Sequence, residues 1–437
     1  MDGLRVAVIG GGLGGLCLAQ GLHRAGAEVT VYERDAALGS RPQGYRLHVD
    51  ARAGLALQQC LPPELFELFL ATCGRPGKRF TVLSDRLRVL RETVIDPGRD
   101  PFAAATLSTS VNRQTLREIL VGGLGQRVRF GHELTGFDAG ADGVSLHFAG
   151  GGQAEADLLV GADGVSSVVR QRYLPNAQVI DTGGRCIYGR TPLTDAALSL
   201  IPPPLLDGFT AIVGKRIGMA AGLVQFRQRP EQAAAALSPG VRLTPAADYL
   251  MWGLAAGRQS FPAPDQQLAG LDPAALHDMA LTMIRSWHPD LRRLVAMAET
   301  GETFLVRIRT SVPEPAWPPS RVTLLGDAIH AMSPARGSGA NTALRDAGVL
   351  CQTLAGAAPD GPAPDGPAPD GPAPDGPAPD GQALLAAGGD YEAQMREYGY
   401  AEVLASQRAE AEMGARRSVA FWLYRRLARS GRGERPG

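Results

Sequence analysis

The order of hydrophobic and polar positions near the start of the chain predicts a strand, a glycine-rich turn, a helix and a second strand. Residues 5–9 form an apolar run, residues 13–24 have helical spacing, and residues 29–32 alternate as far as Glu33. These lengths are those of a strand–helix–strand unit with parallel strands. The pattern therefore predicts an α/β domain at the start of the chain.

The same stretch resembles a membrane or signal segment only in its lack of charge. Residues 6–22 number 17 and include six glycines, whereas a membrane-spanning helix needs about 20 mainly apolar residues. A small-residue cleavage site does not follow them. We therefore expect a soluble, unprocessed protein.

After residue 60 the hydrophobic pattern changes between the spacing of helices and the alternation of strands. Helical spacing recurs at residues 64–73 and 113–124, and the short strands of a meander are predicted over residues 128–149. Short buried strands are predicted at residues 158–161 and 322–325. Between them the chain alternates, as at residues 185–192 and 218–228, with one longer helix at residues 273–288. We interpret this region as a sheet-based substrate domain inserted into the first domain.

The last part of the chain contains a repeat and a helix. Ala-Pro-Asp-Gly occurs five times at a five-residue period over residues 358–381, and its prolines remove backbone donors. We expect a solvent-exposed, disordered loop rather than a recognition array. Residues 391–427 are strongly helical, and we expect their terminal aromatic residues to pack on the main body rather than on a membrane surface.

Composition excludes several classes of protein. The 437 residues include 44 basic and 44 acidic ones, and this balance argues against nucleic-acid binding. Only Lys78 and Lys215 are lysines, an arginine bias that suggests a bacterial genome rich in G and C. The five cysteines lack the spacing of a disulfide framework or a zinc site, so we expect a reducing, cytoplasmic environment.

The glycine-rich turn carries a dinucleotide-binding motif. Gly10, Gly12 and Gly15 form G-x-G-x-x-G between the first predicted strand and the first helix, and Glu33 ends the next strand. The first glycine permits a tight turn, the second lets a diphosphate approach the backbone, and the third lets helix and strand pack closely. Glu33 can accept hydrogen bonds from ribose hydroxyls and would repel a 2′-phosphate. These features predict the adenosine half of FAD or NAD.

Two further motifs follow in order along the chain. GADGVSSVVR occupies residues 161–170, and LLGDAIH at residues 324–330 continues into SPARGSGANTA at residues 333–343. With the first motif, they make the chain similar to the group A FAD-dependent monooxygenases, the para-hydroxybenzoate hydroxylase-like family. The resemblance spans residues 6–350 and is more specific than any one motif.

The resemblance implies which residues bind non-covalent FAD. Asp327 would accept hydrogen bonds from ribityl or ribose hydroxyls, and Arg113 would contact the diphosphate or the ribityl chain. Glycines 337 and 339 would let backbone lie against the isoalloxazine, with the helix near Asn341 aiming its N-terminal N–H groups at it. Asp163 would support the cofactor or mainly hold its own turn. The full expected set is Gly10, Gly12, Gly14, Gly15, Glu33, Arg34, Arg46, Arg113, Asp163, Gly326, Asp327, Pro334, Gly337, Gly339 and Asn341.

The resemblance also implies the fold, its division and the substrate wall. The expected class is α/β, with a Rossmann-like FAD-binding domain of the glutathione-reductase type at residues 1–76, 105–180 and 301–357. A substrate-binding sheet domain would take residues 77–104 and 181–300, and C-terminal helices residues 382–437. Candidate substrate-contacting residues are Tyr188, Arg190, Met219, Gln225 and Trp252, with Arg46 also a candidate for the wall.

The chemistry implied is oxygenation. NAD(P)H would reduce the flavin through a transient site, and O2 would add at C4a to give the hydroperoxide that oxygenates a small organic substrate, such as a secondary metabolite. No side chain is assigned a catalytic role, and we interpret His330 as a packed, hydrogen-bonded histidine. Hydroxylation, epoxidation and Baeyer–Villiger oxidation stay open, as do NADH or NADPH and a monomer or homodimer. The alternatives are a flavin-binding protein without oxygenase activity and a flavin-dependent halogenase.

Overall fold

The computed structural model describes residue 1 and residues 3–40, 44–95, 100–357 and 380–430, with side chains as far as residue 412. The described strands are β1 (Arg5–Ile9), β2 (Glu28–Glu33), β3 (Arg46–Asp50), β4 (Arg79–Ser84), β5 (Val89–Val94), β6 (Ser108–Asn112), β7 (Val128–Phe130), β8 (Leu134–Ala139), β9 (Val144–Phe148), β10 (Gln153–Ala156), β11 (Leu158–Gly161), β12 (Val179–Pro192), β13 (Phe209–Val213), β14 (Ile217–Val224), β15 (Tyr249–Gly257), β16 (Phe304–Ser311) and β17 (Val322–Leu324). The described helices are α1 (Leu13–Arg24), α2 (Ala51–Cys60), α3 (Pro63–Thr72), α4 (Arg113–Val121), α5 (Val168–Tyr173), α6 (Asp195–Leu198), α7 (Pro230–Leu237), α8 (Asp265–Leu268), α9 (Pro273–Met283), α10 (Pro289–Ala296), α11 (Asp327–His330), α12 (Gly339–Gly356) and α13 (Gly381–Ser430).

A five-stranded parallel sheet holds the first layer together, in the order β17-β11-β1-β2-β7. In its register Ile9 pairs with Gly161, and Gly161 pairs with Leu324. Three strands that are far apart in sequence therefore end at the same edge. The carboxyl edge of such a sheet is where ligands bind in open α/β folds.

Helices α1, α2 and α12 cover one face of this sheet and pack closely on one another. The close packing depends on small residues. A Cβ on Gly14 would lie 2.7 Å from a methyl of Leu325, and one on Gly21 would lie 2.8 Å from the Cys351 sulfur. Gly14, which we expected at the cofactor, is therefore required by packing between α1 and the segment that leads into α12.

A seven-stranded sheet forms the second layer, in the order β16-β12-β15-β14-β13-β4-β5. Helices α9 and α10 cover one of its faces, with Trp252, Leu254, Trp287 and Leu291 in the shared core. The sheet includes β16, although we expected residues 301–357 to belong with the FAD-binding part. The antiparallel pairing of β12 with β16 explains this difference, because it adds a strand from after the inserted region to the same sheet.

A two-stranded ladder, β3 with β6, lies next to the start of α12. The Asn341 side chain accepts a hydrogen bond from the Asp50 backbone and donates to the carbonyl of His48, at 2.9 Å in each case. This contact fixes β3 against α12. The sequence pattern did not predict this ladder.

The C-terminal helix α13 is longer than the segment predicted at residues 391–427. Asp380 caps its start, and Tyr391 donates a hydrogen bond from its hydroxyl to the Leu324 carbonyl at 2.9 Å. The repeat at residues 358–379 and the side chains of the terminal aromatic residues lie outside what the structure describes. Over the described residues, none of the helices is both long and apolar enough to cross a membrane.

Candidate cofactor-binding site

The three sequence motifs meet at the carboxyl edge of the parallel sheet. Gly10 follows β1, Asp163 lies two residues after β11, and Gly326 lies two residues after β17. The backbone N–H of Ala162 donates to the carbonyl of Ile9, and that of Leu325 to the carbonyl of Gly161. The sheet register therefore brings the motifs together.

A side chain would clash with the protein backbone at two of the three glycines of the first motif, but not at the third. Gly10 has a φ of +112°, and a Cβ there would lie 2.3 Å from the carbonyl oxygen of Ala162. A Cβ on Gly15 would lie 2.3 Å from the carbonyl oxygen of Gly10. A Cβ on Gly12 would meet no heavy atom within 4 Å, so the protein leaves that space open. Gly12 is also the N-cap residue of α1. Because glycine has no side chain, no side-chain cap occupies the first N–H groups of the helix, where a diphosphate can bind.

The carboxylate of Glu33 is buried and holds the turn in place. It accepts hydrogen bonds from the backbone N–H groups of Gly11 and Asp35, and its Oε2 atom lies 3.2 Å from a guanidinium nitrogen of Arg117. Arg117 also donates to the carbonyls of Gly11 and Leu38. Glu33 therefore has a structural role here besides the one expected toward ribose. Arg34, next in the chain, is exposed.

Arg113 begins α4 beside the segment that enters β3. Its backbone N–H donates to the carbonyl of Tyr45 at 2.8 Å, and a Cβ on Gly44 would lie 3.6 Å from its Cδ. With Arg190 and Glu302, these residues line a cavity of about 200 Å³. Arg113 therefore lines this cavity, and its expected contact with the diphosphate or the ribityl chain stays a prediction.

Asp163 acts mainly within its own turn, which is one of the two roles we expected. Its Oδ2 atom accepts hydrogen bonds from the backbone N–H groups of Val168 and Val169, at 2.7 and 3.3 Å, at the start of α5. Among the described residues, its buried Oδ1 atom has no hydrogen-bond partner. Burial raises the pKa of the carboxyl.

Asp327 lies at the bottom of a cleft. The residue keeps solvent-accessible surface, yet protein surrounds it closely enough that burial raises the pKa of its carboxyl. A Cβ on Gly339, the first residue of α12, would lie 3.9 Å from its Oδ1 atom. Ser338 makes no side-chain cap on α12. An accessible carboxylate and an uncapped helix N-terminus therefore lie side by side, which suits hydroxyl groups next to an electron-rich ring.

The segment between α11 and α12 remains open in the same way. Pro334 and Gly337 keep accessible surface, Gly337 has a φ of +66°, and a Cβ there would meet no heavy atom within 4 Å. Asn341 was expected at the cofactor through the backbone N–H groups of its helix, and its side chain is used otherwise: it bonds β3 and the Gly337 carbonyl and is almost fully buried. Its side chain therefore shapes the cleft and is not directed at a ligand.

A buried carboxylate supports this segment from below. Asp346 accepts hydrogen bonds from the Gly326 backbone at 2.7 Å, from the Tyr398 hydroxyl at 2.7 Å and from the His330 ring at 2.6 Å. Burial opposes a charge on His330, but Asp346 outweighs it, so the pKa of the imidazole is raised. His330 is fully buried, in agreement with its predicted packing role.

Aromatic side chains cover the face of the seven-stranded sheet that lies opposite α9 and α10. Tyr188 stacks on Phe304 with ring centroids 5.5 Å apart, and Tyr45 packs edge-on against Phe304. The guanidinium of Arg190 lies 5.4 Å from the ring centre of Tyr45 and pairs with Glu299. Tyr188 and Arg190 therefore lie on the face expected for a substrate wall.

Met219 and Trp252 do not line the substrate wall, contrary to our expectation. Successive side chains of a strand point to opposite faces, and both residues lie in the core beneath α9 and α10, with 2% and 0% of their surface exposed. They are on the opposite face of the sheet from Tyr188. Gln225 lies just beyond β14, where its carbonyl accepts a hydrogen bond from Arg75.

Sequence reasoning missed Arg117, His48 and Asp346. Arg117 follows Arg113 by four residues on one helix, and this spacing is a signal that places both on one face. The sequence gives a weaker signal for His48 and Asp346. Their roles depend on tertiary contacts of β3 and α12, and the hydrophobic pattern of the sequence does not predict those contacts. Among the described residues, no cluster suited to a metal ion occurs.

Comparison with known proteins agrees with this geometry. Residues 8–67 match the family model described as NAD(P)-binding Rossmann-like domain, and residues 297–365 match the FAD binding domain. A solved structure described as an FAD-containing monooxygenase of Photorhabdus luminescens is 31% identical, with a TM-score of 0.75, and the match covers 96% of this chain and 99% of that one. These matches define a flavoprotein with a Rossmann-like fold whose cofactor is FAD.

Two curated relatives narrow the family. The dual O-methyltransferase/FAD-dependent monooxygenase elcB of Phaeosphaeria nodorum is 34% identical over 82% of this chain, which spans only 41% of that relative's length. The 3-amino-4-hydroxybenzoate 2-monooxygenase PtmB3 of Streptomyces platensis is 28% identical over 82% of this chain and 81% of its own length. The chain belongs to the FAD-dependent monooxygenases of the para-hydroxybenzoate hydroxylase-like group A.

The open space at Gly12 gives a test of cofactor contact that does not disturb the fold. We expect Gly12→Ala to unfold like the wild type, because its Cβ meets only solvent. Its affinity for FAD should fall about tenfold or more, equivalent to roughly 1.4 kcal/mol, because the methyl group occupies the approach of the diphosphate. Flavin fluorescence titration measures the affinity. Gly240→Ala, at another open position, is the control, and equal FAD affinity in both variants would contradict the assignment.

The Asp346–His330 pair predicts a pH-dependent loss of stability. We expect Asp346→Asn to lower the free energy of unfolding by about 1.5–3 kcal/mol, as for hydrogen bonds to charged groups. Because the pKa of His330 is raised in the folded protein, the pair's contribution is full below the ordinary value of 6.5 and decreases as the pH rises through the raised value.

Urea unfolding of wild type and Asp346→Asn, below pH 6.5 and well above it, checks this difference. Glu92→Gln is the matched control, because Glu92 pairs at the surface with the half-exposed Arg79 rather than with a histidine. If the difference in the free energy of unfolding between wild type and Asp346→Asn grew with pH, the direction assigned to the shift of the His330 pKa would be wrong.

Proposed function

We propose that this chain oxygenates a planar organic substrate, using NAD(P)H and O2 with FAD as the bound cofactor. One observation carries the proposal: the accessible Asp327 carboxylate and the uncapped start of α12 lie in one cleft. The side chain of Asn341 bonds α12 to β3, and β3 follows Tyr45, whose ring packs against the aromatic face of the second sheet. Cofactor and substrate would therefore meet at this cleft.

The residues present fit FAD. We assign the diphosphate to the turn at Gly10, Gly12 and Gly15, with Glu33 near the adenosine ribose and Arg113 at the cavity mouth. Asp327 would accept hydrogen bonds from the ribityl hydroxyls. Gly337 and Gly339 would leave space for the ring system beside Pro334, whereas a Cβ on Gly326 would meet Ala343. Bound FAD would take a hydride from NAD(P)H and activate O2, so that one oxygen atom reaches the substrate and the other leaves as water.

The protein's own groups then have positioning roles. The start of α12 favours negative charge at its end of the cleft, because four backbone N–H groups there lack intrahelical partners. The stacked rings of Tyr188 and Phe304 would exclude water from the substrate face and offer a flat surface to a planar ring. Arg190 is already neutralised by Glu299 and Glu302, so it would shape the wall rather than bind an anion.

The relatives favour secondary metabolism as the setting. One acts on an amino-hydroxybenzoate, as its name states, and another is named as a dual O-methyltransferase and monooxygenase. Because this chain spans less than half of the fungal relative, we assign to it only the oxygenation. We further propose a cytoplasmic bacterial protein, a monomer or homodimer, with the FAD-binding and substrate-binding parts divided as the sequence predicts, except that β16 joins the substrate sheet.

Flavin analysis and a substrate screen test the proposed function. The purified protein should release FAD on acid precipitation, and aromatic and polyketide-like compounds should be screened for faster NADH or NADPH oxidation without matching peroxide release. Mass spectrometry of the product would distinguish hydroxylation, epoxidation and Baeyer–Villiger oxidation. FMN in place of FAD, or FAD without any substrate-stimulated oxidation, would contradict the proposal, and the second result would favour a non-catalytic flavoprotein.

Asp327→Ala should weaken FAD binding more than Asp163→Ala does. Loss of a charge-assisted hydrogen bond costs about 1.5–3 kcal/mol, which is about tenfold or more in affinity. Asp163→Ala removes the acceptor of the Val168 and Val169 N–H groups at the start of α5, where the Ser167 cap remains, and should mainly lower stability, by about 1 kcal/mol. Fluorescence titration and thermal unfolding of both variants check this. Equal dissociation constants for wild type and Asp327→Ala would show that Asp327 does not contact the cofactor.

A further inference from the structure

Strand β3 presents one side to the cleft. Leu47 and Val49 pack into the main core, and because side chains alternate along a strand, Arg46 and His48 point the other way. Both keep accessible surface although burial shifts the pKa of each, lowering that of Arg46 to about 10. These two polar side chains therefore lie on the side of β3 that faces away from the main core, where Arg46 stays partly accessible and His48 is exposed.

Arg46 reaches across to the seven-stranded sheet. Its Nε atom donates to the carbonyl of Leu223 at 3.2 Å, and its guanidinium carbon lies 5.5 Å from the ring centre of Phe209. A Cβ on Gly222 would lie 2.6 Å from the Arg46 Cδ. The glycine therefore leaves the space in which this side chain lies across the sheet.

The charge of Arg46 is not balanced by the protein. Within the described part of the chain Arg46 has no carboxylate partner, whereas Arg190 on the same sheet face pairs with Glu299 and Glu302. His48 cannot serve as a counter-ion, because an imidazole is either neutral or positively charged, and burial and the charge of Arg46 lower its pKa. An enclosed cation without a counter-ion is costly, and a bound anion would remove that cost.

The surroundings of Arg46 suit a flat ring. Tyr188, Phe209, Tyr249 and Phe304 belong to or pack against one apolar cluster on this face. Gly222 and Gly253 lie on neighbouring strands of the same face, where a Cβ would meet Arg46 or Tyr188. The absence of side chains at these two positions lets Arg46 and Tyr188 lie close against the strands.

We propose that Arg46 binds an oxyanion carried on the aromatic ring of the substrate, a carboxylate or an ionised phenol. The guanidinium presents parallel N–H groups that match a carboxylate, while the ring lies against the aromatic face. This assignment rests on the proposed function, because it defines the substrate class of the same cleft. Arg46 acts as a binding residue that fixes which edge of the substrate points away from the cofactor-binding segment.

Matched ligand pairs test the assignment in the FAD-loaded protein without NAD(P)H. Isothermal titration calorimetry should compare salicylate with salicylamide, and ionised para-nitrophenol with para-nitroanisole. The wild type should prefer the anion of at least one pair, and the pair that responds identifies the oxyanion. Arg46→Gln should reduce that preference by about tenfold or more, the factor expected for a lost charge-assisted hydrogen bond.

The variants separate charge from structure. Arg46→Gln keeps a donor for the Leu223 carbonyl, and Arg46→Lys keeps the charge and should retain most of the preference for the anion. Arg79→Met is the control, because Arg79 is half-exposed and paired with Glu92 on the edge strands. Thermal unfolding shows whether each variant is folded, and Arg46→Met, which also removes the charge, replaces Arg46→Gln if that variant does not fold.

The results distinguish this assignment from the proposed function. No binding of either anion at millimolar concentration, or a preference that survives in Arg46→Gln or disappears equally in Arg79→Met, overturns it. The same outcomes apply to Arg46→Met where it replaces Arg46→Gln. A preference for the anion that depends on Arg46, without substrate-stimulated NAD(P)H oxidation, would support the anion site and contradict the oxygenase function. Turnover of neutral aromatic compounds that does not depend on Arg46 would support the oxygenase function and contradict the anion site.

Discussion

A single buried carboxylate, that of Asp346, holds together the part of the molecule on which the cleft depends. It bonds the Gly326 backbone, the His330 ring and the Tyr398 hydroxyl, and so joins the end of β17, α11, α12 and α13. A fully buried carboxylate needs this many partners, because an unsatisfied one would be too costly to bury. The position of Asp327, one residue after Gly326, follows from that network.

The first layer of the fold could be predicted from the sequence because its signals are local. Apolar runs and glycines fix β1, α1 and β2, and the residues at the ends of β11 and β17 carry motifs whose order along the chain is informative. The parallel register then brings Gly10, Asp163 and Asp327 to one edge. Periodicity and strand geometry are sufficient for this step.

The substrate side could not be predicted residue by residue. Tyr188 and Trp252 both occur in apolar strands, and only the register and the covering helices decide that one faces the cleft and the other the core. A shift of one residue reverses the face of every side chain in a strand. The same limit explains Asn341, whose side chain is used by β3, a strand whose pairing partner β6 lies far along the chain.

Gly222 and Arg46 have a consequence for how this family diverges. A Cβ at position 222 would lie 2.6 Å from the Cδ of Arg46, although the two residues are far apart in sequence. In relatives with a bulkier residue at this position, an arginine at position 46 could not lie across the sheet as it does here and would have to turn away or be replaced. The two positions should therefore change together during evolution, and the pair would mark which branches of the family retain a cation on the floor of the cleft.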